Sequence, residues 1–280
     1  MENRAASRAC IGLAMAVAIA VLIPLAACSR DAAEAVAVDC AAVSGAPDAP
    51  LLLFGEMHGS QEAPALIHGL ACSISEAREV AVGLEISSRN QPLLEAFMAS
   101  AGAADDVRKL IASDFWQRGR DGRSSVAMLR LIEDLRALKQ AGRPVSLFAV
   151  DDQPGTNLER NVAIANGLRR FHDAHPDARI IALMGNVHAR QESMWAGDAM
   201  LTPSGKLLAD LHPVSVLVSY PAGTIWACAP TCGIQTLTAA RGEAAPGFHD
   251  GSSMGGYSRT YRLASITAPP PSVESEKPAP

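Results

Sequence analysis

Between about residues 50 and 267 two rhythms of apolar positions alternate. Short β-rich runs at 51–54, 80–84, 145–150, 179–184 and 214–219 read as buried strands. Between them, 61–76, 90–99, 124–141 and 158–172 carry helical spacing, and the third places Ala127, Leu129, Leu131, Leu135 and Leu138 on one side. Strand and helix taking turns predict an α/β domain, a mostly parallel sheet with helices on both faces. Three later runs, at 225–227, 234–237 and 261–266, predict further strands, antiparallel at an edge. No internal repeat or linker-like shift divides this stretch, so 51–267 reads as one domain.

The flanks follow other rules. Arg4 and Arg8 precede a nearly unbroken apolar run from Ile11 to Ala27, which closes in Leu25-Ala26-Ala27-Cys28-Ser29. A basic start, an apolar core and small residues before a thiol resemble a bacterial lipoprotein signal, removed as 1–27, with Cys28 lipidated. An uncleaved anchor is the competing reading, but about 17 apolar residues are short for a hydrocarbon core of roughly 30 Å. The expected location is the bacterial cell envelope: a body held to the membrane by lipid on Cys28, facing the periplasm, with the outer membrane favoured. Residues 28–50, Ala-rich and ending Gly45-Ala-Pro-Asp-Ala-Pro50, read as a tether, and 268–280, with five prolines, as a disordered tail.

Composition narrows the partners. A net charge of −5 without basic runs argues against nucleic acid. An aromatic content of 4% leaves little for stacking platforms or a large cofactor cradle. Cys40, Cys72, Cys228 and Cys232 remain once Cys10 and Cys28 are set aside, and an even number in an exported chain suggests two disulfides. Three pairings are possible; Cys228–Cys232 across Ala-Pro-Thr and Cys40–Cys72 between arm and first helix are expected. A zinc knuckle is the weaker alternative, since C-x3-C lacks a second close pair.

Chemistry concentrates where the strands end. The first exits into Gly55-Glu56-Met57-His58-Gly59, the second into Glu85, the third into Asp151-Asp152, and the fourth into Gly185-Asn186-Val187-His188. Parallel strands share one carboxyl edge, where ligands bind, so these residues are expected in one place. Glu56 and Glu85 close apolar runs and need a cation, because a buried lone carboxylate costs several kcal/mol. Asp151 has a humbler alternative as a helix cap, and Arg123 and Arg160 as solvated helix charges rather than partners or anion clamps. His68, His172, His175 and His212 read as ordinary surface or helix-end residues, and His249 as a loop contact.

Two G-x-x-H motifs, Gly55–His58 and Gly185–His188, with Glu85 closing the second strand, resemble the superfamily of erythromycin esterases, ChaN-like haem-uptake lipoproteins and Tiki-type metalloproteases. The similarity extends over Gly-Glu-Met-His-Gly-Ser-Gln-Glu at 55–62, Asp121-Gly122-Arg123-Ser124-Ser125 opening a helix, and Arg160-Asn161 after the third strand. The resemblance implies an α/β fold with an antiparallel edge. For activity it implies either a histidine base, a divalent metal or haem, according to the branch.

Two hydrolytic mechanisms suit these residues, each acting on an ester, lactone or peptide bond. His58, His188, Glu56 and Glu85 could hold one divalent ion, zinc, manganese or cobalt, that acidifies a water. In the metal-free version His58 takes a proton from water, a glutamate orients its ring, and Arg123 or Arg160 stabilises the oxyanion. A non-catalytic lipoprotein carrying haem or a metal is the alternative from another class. No Walker A loop or G-x-G-x-x-G is present in the sequence.

Overall fold

The computed structural model describes residues 40–273, apart from 42, 119–120, 153–155, 221, 229–230 and 239–244. The signal segment 1–27, Cys28 and the tail beyond 273 lie outside the described residues, as does most of the tether before Cys40. In chain order the elements are β1 (Leu51–Glu56), α1 (Glu62–Ile74), β2 (Val80–Ser87), α2 (Gln91–Ala99), α3 (Ala104–Ile111), α4 (Asp114–Arg118) and α5 (Val126–Gln140). They continue as β3 (Val145–Asp151), α6 (Asn157–Ala174), β4 (Arg179–Gly185), β5 (Met194–Ala196), β6 (Ala199–Leu201), α7 (Ser204–Leu207) and β7 (Val214–Ser219). Last come β8 (Gly223–Cys228), β9 (Cys232–Leu237), β10 (Gly247–Asp250) and β11 (Arg259–Arg262).

Seven strands form one sheet in the order β10-β11-β7-β1-β4-β2-β3, parallel throughout except where β10 runs against β11. The expected α/β class is therefore observed, antiparallel edge included. Strands β1 and β4 are central and buried on both faces, which is why they read as continuous apolar runs rather than alternating ones. Alternate side chains still serve different layers. Leu52, Phe54, Val82 and Leu84 pack with Ile67 and Leu70 of α1, Leu94 of α2 and Leu131 and Leu135 of α5. Leu51, Leu53, Ile180 and Ala182 pack with Ile164 and Leu168 of α6 on the opposite face.

The tertiary structure revises several expectations. β8 and β9 do not extend the main sheet but form a separate hairpin, closed at its tip by Cys228–Cys232 with a Cα separation of 3.7 Å. β11 joins β7 in parallel, so the antiparallel edge is β10, which carries no clear apolar run. Helices α3 and α4 and the short β5–β6 pair were not expected; each buries few side chains, so its apolar signal is weak. Residues 268–273 are docked rather than disordered: Pro270 O accepts from the Val126 amide at 3.0 Å, and Ser272 donates from both amide and hydroxyl to Ser124 O. The arm before β1 is likewise held, by the Cys40–Cys72 bridge (Cα separation 5.8 Å) and by lying against Gly69 of α1. Among the described residues no helix is long and apolar enough to cross a membrane.

Candidate active site

The order β1-β4-β2-β3 turns four separate sequence signals into one row. Glu56 ends β1, Gly185 ends β4, Glu85 lies near the end of β2 and Asp151 ends β3, all at the shared carboxyl edge. The register between β2 and β3 shifts between Leu84 and Ser87, so three steps on β2 span two on β3. This irregularity falls at Glu85 and Ile86, both buried. Bulges of this kind re-aim a side chain, and here the one re-aimed is the glutamate at the centre of the cluster.

The turn after β1 is tightly constrained. A Cβ on Gly55 would overlap the Tyr257 ring and hydroxyl, which itself donates to Asn186 O. His58 has φ of 46°, a left-handed conformation that costs a non-glycine residue energy and marks a chain bent to present a side chain. Gly59 follows at φ 84°, its carbonyl accepting from the Trp226 amide of β8 at 2.8 Å. The hairpin that sequence placed at the sheet edge thus braces the His58 turn.

His58 lies between two carboxylates: Nδ1 is 3.2 Å from Glu56 Oε1 and Nε2 is 3.4 Å from Glu85 Oε2. Burial alone would favour the neutral ring, but Glu85 and Glu56 outweigh it and push the pKa up to about 10. Glu85 in turn accepts from the Gly185 amide at 2.6 Å, from Arg123 Nη1 at 2.9 Å and from Arg160 Nη2. Its burial favours protonation, yet His58 above all, together with Arg123, holds the carboxyl well below its usual range. Arg160 also donates from Nε and Nη2 to Asp151, which has no exposed surface, at 3.1 and 2.8 Å. Asp151 is not the helix cap; Thr156 caps α6, accepting from the Glu159 amide, while Glu159 returns the bond to the Thr156 amide. Arg123 grips Asp121 through Nε and Nη2, the latter at 2.6 Å.

His188 is different in kind. Its Nδ1 is 2.9 Å from Asn161 Oδ1, while Nε2 looks towards Glu85 Oε1 at 4.0 Å. Burial, with the positive charge of Arg160 and His58, lowers its pKa against the opposing pull of Glu85 and Asp151. Between the two histidines lies Gly185, where a Cβ would stand 3.2 Å from His58 Nε2, 3.4 Å from His188 Cδ2 and 3.5 Å from Glu85 Oε2. Glycine here keeps open the space on which His58, His188 and Glu85 converge.

All seven expected site residues, Glu56, His58, Glu85, Arg123, Asp151, Arg160 and His188, are therefore brought together. Asn161, Asp121 and Tyr257 belong to the same neighbourhood and were missed as participants. Asn161 and Asp121 stood inside quoted motifs, but an amide or an Asp beside a glycine has no role until its neighbours in space are known. The remaining histidines stand apart: His172 pairs with Asp173, His175 with Glu79, and His249 Nε2 with Ala245 O.

Beside Asp121 and Arg123 a cavity of about 630 Å³ opens, lined also by Ser87, Arg89, Phe115 and Arg118. A second hollow of about 680 Å³ between α1 and α5, with His68 and Asp134 on its wall, touches none of the clustered residues. A resident divalent ion does not suit the donor set. Both Glu85 oxygens are already engaged by cations and an amide, two guanidiniums crowd the centre, and among the described residues no group of three His, Cys, Asp or Glu side chains is arranged to hold a metal ion. The same concentration of charge is the opposite of the broad apolar slot that a porphyrin needs.

No protein-family model and no curated protein matches the chain. Solved structures do. A succinoglycan biosynthesis protein superposes with a TM-score of 0.57 at 9% identity, covering 79% of this chain and 89% of its own. A protein from Bacillus cereus gives 0.51 at 10% identity, over 79% and 90%. The chain shares their fold. A mutant erythromycin esterase in its open conformation is also found, at 0.49 and 13% identity over 68% and 76%.

Proposed function

We propose that the protein is a metal-independent hydrolase of ester, lactone or peptide bonds, acting at the carboxyl edge of its sheet. The observation that carries this reading is the opposite bias of two histidines around one gap: His58 held as a cation between Glu56 and Glu85, His188 held neutral at Nε2. Paired groups with pKa values driven apart are how a site keeps an acid and a base at one pH. His188 takes a proton from water as the water oxygen bonds to the carbonyl carbon. The oxyanion forms beside the His58 imidazolium and Arg160, whose Nη1 makes no hydrogen bond among the described residues. When the tetrahedral centre collapses, the carbon–oxygen or carbon–nitrogen bond breaks and the proton passes from His188 to the leaving group.

The base role expected of His58 thus moves to His188, because the two carboxylates that orient the His58 ring also keep it protonated. A panel of esters, lactones and peptides tests the reading. His188→Gln and His58→Gln are expected to lose at least a hundredfold in kcat, with a chelator leaving the wild type unaffected. Full turnover by either variant, or its abolition by chelator, refutes it.

We further propose that this body works at the bacterial envelope, tethered by lipid on Cys28 through residues 28–50. Metabolic labelling with palmitate is expected to mark the wild type and to miss Cys28→Ala; label retained by the variant overturns the anchor.

A further inference from the structure

The His188 ring has two nitrogens, and only the one left without a proton can act as a base. We infer that Asn161 is the positioning residue that places the His188 proton on Nδ1 and leaves the lone pair on Nε2, aimed at the gap above Gly185. This rests on the hydrolytic reading for its purpose, but not for its geometry.

The argument runs through the neighbours of Asn161 Oδ1. The amide of Ser204 at 2.9 Å and the Ser204 hydroxyl at 3.0 Å both reach that atom. A backbone N–H can only donate, so the atom facing it is an acceptor and must be the carbonyl oxygen. The other end agrees: Asn161 Nδ2 donates to Asn157 O at 2.7 Å, within α6. The Asn161 side chain is therefore fixed in orientation by two main-chain groups, with no exposed surface of its own. His188 Nδ1, 2.9 Å from this oxygen, faces an acceptor and has to donate. In the neutral ring Nε2 then has no proton.

The ring is held at its backbone as well, since His188 O accepts from the Gly205 amide at 2.9 Å and its own amide donates to Gly185 O at 2.9 Å. The end of β4, helix α6 and the short helix α7 thus meet at His188, α6 on its ring and the other two on its backbone. An amide suits the position better than a carboxylate: it accepts from Nδ1 without adding a negative charge that would raise the His188 pKa, as Glu56 and Glu85 do for His58. Two histidines in matching G-x-x-H turns receive opposite protonation states because one is flanked by carboxylates and the other by an amide.

The test reads ring protonation directly, without substrate. In protein labelled with nitrogen-15 at histidine, the His188 signals are assigned by their absence from His188→Gln. At neutral pH the expected spectrum has a protonated Nδ1 and an unprotonated Nε2, and the ring titrates below 6.5. Asn161→Asp keeps an acceptor for both Nδ1 and the Ser204 amide and adds charge, while giving up the Nδ2 bond to Asn157 O, so the Nδ1 proton stays and the titration moves up by one unit or more. Ser204→Ala, which removes only the hydroxyl, leaves both unchanged. A proton on Nε2 in the neutral wild type overturns the inference, as does an Asn161→Asp titration that does not move. Inactivity towards every substrate in the panel would refute the hydrolase while leaving this result standing.

Discussion

Gly122 lies directly against the backbone of Gly59, so close that a Cβ at 122 would overlap the Gly59 amide and Cα. The two stretches that carry the sequence resemblance, 55–62 and 121–125, are thus packed backbone to backbone. This contact places Arg123 over Glu85 while the neighbouring residue, His58, faces the same carboxylate from the other side.

Gly122→Ala should therefore act on the site through the His58 turn. Overpacking of this kind costs about 1–3 kcal/mol, with turnover falling alongside. Gly233→Ala is the control, because nothing lies within 4 Å of a Cβ there. Thermal unfolding of both variants, set against the wild type, checks the pair; equal midpoints would show that the turn yields without cost.

His58 makes stability depend on pH. Its pKa is higher folded, about 10, than the 6.5 of the free side chain, so the folded state holds the proton more tightly. The contribution is fully present below 6.5 and is lost as pH rises from there to about 10. Urea midpoints measured across that window are expected to fall more steeply for the wild type than for His58→Gln. With about a fifth of the side chain exposed, solvent screening moderates the difference.

Removing the charge at Glu85 should hurt more than removing either of its partners. Glu85→Gln leaves the guanidiniums of Arg123 and Arg160 short of a counter-charge in a buried place, a loss of about 3–5 kcal/mol. The His58 pKa should drop towards its ordinary value in the same variant. Denaturant titration and histidine NMR read the two effects separately, and an unmoved His58 titration would mean that Glu56 alone sustains the cation.

The two disulfides should differ in worth. Cys40–Cys72 spans 32 residues and Cys228–Cys232 only 4, which in the chain-entropy account correspond to roughly 4 and roughly 2 kcal/mol. Paired Ala substitutions at each bridge, compared by denaturant midpoint, are expected to show the larger loss at 40 and 72. Reversal of that order would point to strain or residual structure outweighing loop length.

Much of this molecule was legible from sequence because burial writes itself into apolar rhythm. The five parallel strands and the four long helices stand close to where the pattern placed them, and chain direction alone sends the parallel strand ends to one edge. Glu56, His58, Glu85, Asp151 and His188 could be named on that basis, as could the fold class. Weakly buried elements left no such trace, which is why α3, α4 and β10 were missed and why the proline-rich stretch 268–273 looked unstructured until its hydrogen bonds to 124 and 126 were seen.

What sequence could not distinguish was the roles of two histidines in near-identical motifs. G-x-x-H describes a turn, and both turns are made. The electrostatic field at each ring is set by groups distant along the chain: Glu85 beside His58 from 27 residues away, and Asn161 beside His188 from the opposite direction, itself fixed by an amide at 204. Sequence determined which side chains reach the edge of the sheet, because burial and strand direction are local and periodic. Only the tertiary structure decided which ring keeps its proton, because charge acts through space and its sources are brought together by folding alone.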